Sequence, residues 1–320
     1  MLEAAANPAQ QQRAVAVLGR LGDVRAVDPL LKLFDVRQAK PALSAEIVRA
    51  LGRLRDARVV DPLVAAWDYL NSLSLRMGRS ELPAHLQVMR AEIIEALGEI
   101  GDPRSSQTVL AALADEDPLV VARAAEAAGR LKERRAYEPL VELLNRGGAE
   151  GQAAYEALGE LKDDRALSIL EKNIKSEDMA VEVQAAYALA KMGKKQGEER
   201  MRKFMESGSK ESPSGVLAAY YMAKLDKEDG IDYLLAVLKN KDGALRAAAA
   251  EALGKAGNRK AILPLTELLG KLDPPLKVIV ARGMGQLGGS RAVSALGKLK
   301  DDPDYDVRAA ARLSLDGLGE

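Results

Sequence analysis

Apolar residues return along this chain at helical spacing, in short runs that come in pairs. Leu245, Ala249, Ala252, Leu253 and Ala256 fall three and four apart on one helix face. A break at Gly257-Asn258-Arg259 follows, and then Leu265, Leu268 and Leu269 form a second apolar face. Leu140, Leu143 and Leu144 form the same second face in another copy. The pattern predicts two antiparallel helices joined by a short turn, written about ten times. Clear copies read EALGKAGNRKAILPLTELL at 251–269 and RALGRLRDARVVDPLVAAW at 49–67.

Aligned on one slot, the copies fall at Gly19, Gly52, Gly98, Gly129, Gly159, Ala190, Ala223, Gly254, Gly285 and Asp316. The steps are 30 to 33 residues, apart from one of 46 between Gly52 and Gly98. One helix pair of this length cannot bury its apolar face alone, so a repeat of this period implies a stacked solenoid. The anchor slot accepts Gly or Ala until the last copy, which predicts steric exclusion by an adjacent helix. Three residues later stand Gly22, Gly101, Gly193, Gly257 and Gly288, but also Arg55, Lys132, Lys162 and Asp226. That mixture predicts a left-handed position just past a helix end, where Gly is preferred without being obligatory. Asp23, Asp56, Asp102 and Asp163, four residues past their anchors, are expected to cap the second helices.

With Val307-Arg308 upstream, Ala-Leu-Gly-x-Leu, Asp-x-Arg and Pro-Leu, the string resembles the HEAT-like repeats of the phycobilisome-lyase type, over essentially residues 9–320. The resemblance implies an all-α fold, an α-α superhelix of about ten repeats and roughly 19 antiparallel helices. It also implies that the helix before each anchor lines the concave face. The whole chain, 1–320, is expected to be a single solenoid with an insertion near 68–86 between the second and third repeats. That insertion holds or adjoins Trp67, Tyr69, Met77 and His85. It predicts either two helices each a turn or two longer, with a loop near Gly78–Ser80, or a protruding knob that docks a partner. At the other irregularity, residues 9–22 form a first-type helix with no partner before it. Such an uncapped end implies that the chain is cut from a longer protein or assembles through that helix.

Composition narrows the chemistry. The chain is 48% hydrophobic but only 3% aromatic, and 47 basic residues balance 47 acidic ones. Zero net charge argues against nucleic-acid binding, which needs an excess of Lys and Arg. With no cysteine, disulfides and thiolate metal sites are excluded, and a cytoplasmic location is expected, with the periplasm left open. No run of about 18 apolar residues predicts a membrane span.

The sequence carries no recognisable catalytic constellation. Deoxyhypusine hydroxylases build a di-iron site on HEAT-like repeats from His-Glu pairs, whereas this chain has one His, followed by Leu86. His85 beside Pro83 reads as a solvated loop or helix-start residue. No phosphate loop occurs, since Arg146-Gly147-Gly148 and Gly288-Gly289-Ser290 lack the required spacing. HEAT-like DNA glycosylases need a basic channel, which the mixed charge does not supply. No catalytic residue, cofactor or metal is expected.

A partner-binding stripe is expected three before and one after each anchor. It reads Arg49/Arg53, Glu95/Glu99, Glu126/Arg130, Glu156/Glu160, Tyr187/Lys191, Tyr220/Lys224, Glu251/Lys255 and Arg282/Gln286. Same-sign pairs four apart on a helix are mildly unfavourable, so local helix stability does not explain them. Tyr187 and Tyr220 occupy equivalent slots, with Tyr155 and Tyr221 nearby, and exposed Tyr is a typical interface anchor. The candidate contacts are therefore Arg49, Arg53, Glu95, Glu99, Glu156, Glu160, Tyr187, Lys191, Tyr220, Lys224 and Trp67. The expected function is a non-catalytic scaffold for a protein or peptide partner. A bilin-lyase-like chromophore carrier and a rod-like structural component are the alternatives.

Overall fold

A computed structural model describes residues 7–36, 41–78, 81–206 and 212–319. Among these residues there are 19 α-helices and no strand. The contacts divide the chain into two compact units, Met1–Leu167 and Ser168–Glu320.

The first unit holds α1 (Pro8–Leu21), α2 (Val27–Leu33), α3 (Pro41–Leu54), α4 (Val60–Met77), α5 (Ala84–Ile100), α6 (Ser106–Ala112), α7 (Pro118–Leu131), α8 (Tyr137–Leu144) and α9 (Gly148–Leu161). First helices α1, α3, α5, α7 and α9 pack mainly on one another in succession. The anchor glycine is the reason. A Cβ on Gly98 would lie 2.7 Å from Cα of Ala127, and one on Gly129 would lie 2.8 Å from Cα of Ala157. The helices meet backbone to backbone, so steric exclusion holds as expected.

The Asp-x-Arg words are staples. Each acid caps a single turn of 3-10 helix and accepts the backbone N–H two residues on, as Asp56 does from Arg58 at 2.9 Å. It also clamps the guanidinium of that Arg, which at Arg58, Arg104 and Arg165 reaches back to the preceding repeat. Arg58 donates to Asp28 at 2.9 Å and to the Val24 carbonyl at 3.2 Å. Arg165 donates to the carbonyl of Arg134 at 3.1 Å. The hydrogen bonds from Arg25 hold the Asp23 carboxyl down at about 2, and those from Arg135 do the same for Glu133. Past the first helices, Arg55, Lys132 and Lys162 have φ of 52°, 54° and 50°, and Gly22 and Gly101 have 69° and 73°. The left-handed slot is therefore used whether or not Gly occupies it.

The long step resolves into longer helices. The second helix α4 has 18 residues where its equivalents α6 and α8 have 7 and 8, and the first helix α5 has 17 where α3, α7 and α9 have 14. The loop falls at Gly78, and residues 79 and 80 lie outside the described residues.

The second unit holds α10 (Leu167–Asn173, beginning at the boundary), α11 (Met179–Lys191), α12 (Lys195–Glu206), α13 (Pro213–Lys224), α14 (Glu228–Val237), α15 (Gly243–Lys255), α16 (Ile262–Leu268), α17 (Pro274–Leu287), α18 (Ser290–Leu299) and α19 (Tyr305–Leu318). Its first two full repeats stack differently. Ala190 and Ala223 replace the anchor glycine, and α11 and α13 pack more on their own second helices than on each other. The close approach moves with the glycine. A Cβ on Gly197 of α12 would lie 2.2 Å from the Ala186 carbonyl oxygen, and one on Gly230 of α14 would lie 2.6 Å from that of Ala219. These two repeats also lack Asp-x-Arg, and α12 and α14 start without a 3-10 turn. Gly254 restores backbone contact with Gly283 further on. No helix of the described residues is long and apolar enough to cross a membrane.

Candidate functional site

In the first unit the expected stripe does form a row on the first helices, but its charges answer one another. Arg49 on α3 bridges to Glu46 at 2.7 Å and to Glu92 of the next repeat at 2.9 Å. Arg53 lies 3.9 Å from Glu46. Arg123 on α7 reaches Glu95 at 3.4 Å and Glu126 at 3.2 Å, and Arg130 also bridges to Glu126. Glu99 packs over Gly52, and burial followed by repulsion from Glu95 pushes its carboxyl above the usual range. Glu156 accepts from Gln152 at 3.4 Å, and Glu160 stands beside Gly129. Arg49 and Glu95 are thus answered by the repeat next door, whereas Arg53 and Glu156 are met within their own helices. At Arg49 and Glu95 the stripe is a lattice between repeats, and for those two residues the signs need no outside partner.

Trp67 is also corrected. Its ring is 3% exposed in the core of the long hairpin, where a partner cannot reach it. The guanidinium of Arg90 sits 5.0 Å above that ring, itself 2% exposed, and pairs with the buried carboxylate of Asp115. Arg90 also donates to Asn71 Oδ1 at 3.1 Å. A buried cation survives only when paired and hydrogen-bonded, and here the ring face adds to its stabilisation. The sequence reading missed this cluster. Its signal was a basic residue on the apolar side of α5, three before Ile93 and four before Ile94.

In the second unit the stripe has another character. Tyr187 and Tyr221 are fully buried and stack at 4.3 Å between centroids, with the planes 27° apart. Tyr220, half-buried, meets Tyr221 at 4.9 Å. The rings fill the seam between α11 and α13, where the missing anchor glycine keeps the backbones apart. Tyr187 is therefore core rather than an exposed anchor, and so is Tyr155 on α9 within the first unit. Lys224 rises above the seam with its ammonium 5.7 Å from the Tyr187 ring and 5.8 Å from that of Tyr220. Lys191 occupies the equivalent slot on α11, Lys255 that on α15, and Arg282 is exposed on α17. Glu251 contributes an acid, bridged to Lys255 at 3.1 Å with both side chains more than half exposed.

His85 is exposed at the second position of α5. Among the described residues, no group of three or more His, Cys, Asp or Glu side chains is placed to hold a metal ion.

The family described as HEAT repeats matches residues 1–76, 84–151, 210–277 and 231–316. The chain belongs to the HEAT-repeat family. Its solved structural neighbours include human deoxyhypusine hydroxylase in complex with glycerol, 19% identical over 80% of this chain and 99% of that one, with a TM-score of 0.41. The complex of CpcE and CpcF of phycocyanin lyase from Nostoc sp. PCC7120 is 22% identical over 69% of this HEAT chain and 90% of that one, at 0.40. An engineered protein is 19% identical over 100% and 97%, at 0.37. No curated protein matches the sequence.

Proposed function

We propose that this HEAT-repeat protein is a non-catalytic scaffold that binds a protein or peptide partner on the first-helix face of its second unit. One observation carries the reading. The equivalent slots of the first unit mix the two signs and are cross-linked between repeats by ion pairs, whereas those of the second unit carry Lys191, Lys224, Lys255 and Arg282 together with Glu251, and Lys224 lies over an aromatic seam. Side chains held over rigid aromatic rings lose little freedom on binding, which favours recognition. Trp67 and Tyr187 are left out of the contact set, because both are buried.

The test starts with affinity capture by the full-length protein, identification of the partner by mass spectrometry, and titration of the purified pair. Arg282→Glu with Lys255→Glu is expected to weaken binding about tenfold or more, and Arg130→Glu in the first unit by less than about twofold. Equal losses from both units, or none from the second, would overturn the reading.

A further inference from the structure

Where first-unit charges meet across a repeat boundary, the residue three before one anchor is answered by the residue six before the next. Glu92 answers Arg49 in this way at 2.9 Å, and Arg123 answers Glu95 at 3.4 Å. On α17 and α19 the same two slots hold Arg282 and Ala310. Ala310 is buried and uncharged, so Arg282 has no acid opposite it and the small side chain leaves space. At Arg49 and Glu92 the cavity is about 60 Å³, whereas between α17 and α19 it is a groove of about 420 Å³. Pro275, Val278, Ala309 and Leu313 line this groove with apolar surface, and Leu313 is 69% exposed. Gly285 packs against Ser314, and Lys277 pairs with Asp302 at 2.8 Å, so the two helices run side by side in the same direction. Arg282 therefore stands about five residues, or roughly 7 Å, further along the groove than Asp306. Among the described residues neither of these two side chains has an ion pair or a hydrogen bond. The charges around them are already engaged. Lys277 is held by Asp302, Arg308 donates to the Asp302 and Pro303 carbonyls at 2.7 and 2.8 Å, and Asp304 accepts from the backbone N–H groups of Asp306 and Val307.

We infer that this groove docks a segment of a partner polypeptide in which an apolar side chain lies between a carboxylate and a cation. The apolar side chain buries against Val278 and Leu313, the carboxylate pairs with Arg282, and the cation pairs with Asp306. Apolar burial supplies affinity, and the two charges, opposite in sign at opposite ends, fix the direction in which the segment lies. A segment laid the other way sets like charge against like at both ends, so the groove rejects it. A uniformly acidic or uniformly basic segment is opposed at one end for the same reason. Arg282 is unpaired before binding, so no internal ion pair has to break to receive the carboxylate, unlike at Arg49. The inference rests on the reading of the second unit as the partner-binding face, and adds the place and the chemistry of the docked segment.

A random dodecapeptide library displayed on phage, selected on the immobilised full-length protein, tests it. Selection is expected to enrich, by at least about tenfold, peptides with an apolar residue flanked by an acid on one side and a base on the other. Selection on Arg282→Glu is expected to replace the acid by a base, and selection on Asp306→Lys to replace the base by an acid. Leu313→Ser is expected to lower retention of the enriched peptides about fivefold. Free leucine at millimolar concentration, which carries the same three groups in a small molecule, is expected to leave the phage bound. All three substituted positions are exposed, so the variants are expected to keep the urea midpoint of the parent protein. An exchange of sign is a change of preference, which loss of structure does not produce.

No enrichment, the same charge pattern selected on Arg282→Glu or Asp306→Lys, full retention by Leu313→Ser, or elution by free leucine would each overturn it. The captured partner separates the two failures. If Arg282→Glu with Lys255→Glu releases it but Asp306→Lys and Leu313→Ser do not, the scaffold reading stands and this groove is wrong. If none of them releases it, both are wrong.

Discussion

The repeats on α3–α9 and those on α11–α14 are built from one sequence pattern and stack in two ways. In the first set, a glycine at the anchor lets neighbouring first helices touch, and arginine and glutamate bind them across their surface. In the second, alanine holds those helices apart, tyrosine fills the gap, and the glycine contact moves inside the repeat to Gly197 and Gly230. Moving one small residue by seven positions thus changes which helices touch. It also changes what the outer face presents, an ion-paired lattice in one case and aromatic rings under lysines in the other.

The sharpest way to break this comparison is through the buried electrostatics of the first unit. Arg90→Met leaves Asp115 charged and buried, and is expected to destabilise the protein by about 3–5 kcal/mol. Adding Asp115→Leu should recover most of that loss in urea denaturation followed by circular dichroism. If the double variant were no more stable than the single one, the ion pair would not be the reason for the loss.

Next in size are the two glycine contacts. Gly98→Ala forces a Cβ into Ala127, and Gly197→Ala forces one into the Ala186 carbonyl, so each is expected to lose about 1–3 kcal/mol. Ala190→Gly should lose only the helix-propensity difference of about 1 kcal/mol, with no steric gain. A stabilised Ala190→Gly protein would show that the alanine anchor is strain rather than an alternative packing.

Lys132→Gly and Lys162→Gly relieve a left-handed backbone that L-residues adopt with difficulty, and each should add about 1 kcal/mol to the urea stability. Gly101 occupies the same slot and marks what the relaxed position looks like.

The smallest effect is one of pH. Burial and Glu95 raise the Glu99 carboxyl, so the folded chain holds that proton more tightly than the unfolded one. Its ionisation opposes folding, and stability falls as pH rises from the unfolded value through the folded one. Glu99→Gln should therefore stabilise above that window and be neutral below it, read as the urea midpoint against pH. The staple acids run the other way. Asp23 and Glu133, held at about 2, lose their contribution as pH falls from the ordinary carboxylate range towards that value.

By itself the sequence determined the repeat, the helix pairs, the capping acids, the left-handed slot and the steric role of the anchor. All of these depend on residues within one repeat or at a fixed offset in the next, so periodicity exposes them. For the long second step it left extended helices or a protruding knob open, and the structure has long helices on either side of Gly78. Tertiary structure alone decided which side of a helix a stripe residue serves. Tyr187 sits in the outward slot by spacing and is buried, because the helix beside it lacks a glycine contact and leaves a ring-sized gap. Arg49 and Glu95 look like partner contacts by sign, yet they bind Glu92 and Arg123 across a repeat boundary that helical periodicity within one helix does not register. Arg90 and Trp67 meet from opposite helices of the hairpin. Pairings between helices depend on how closely backbones approach, and that distance is set by packing rather than by any single repeat.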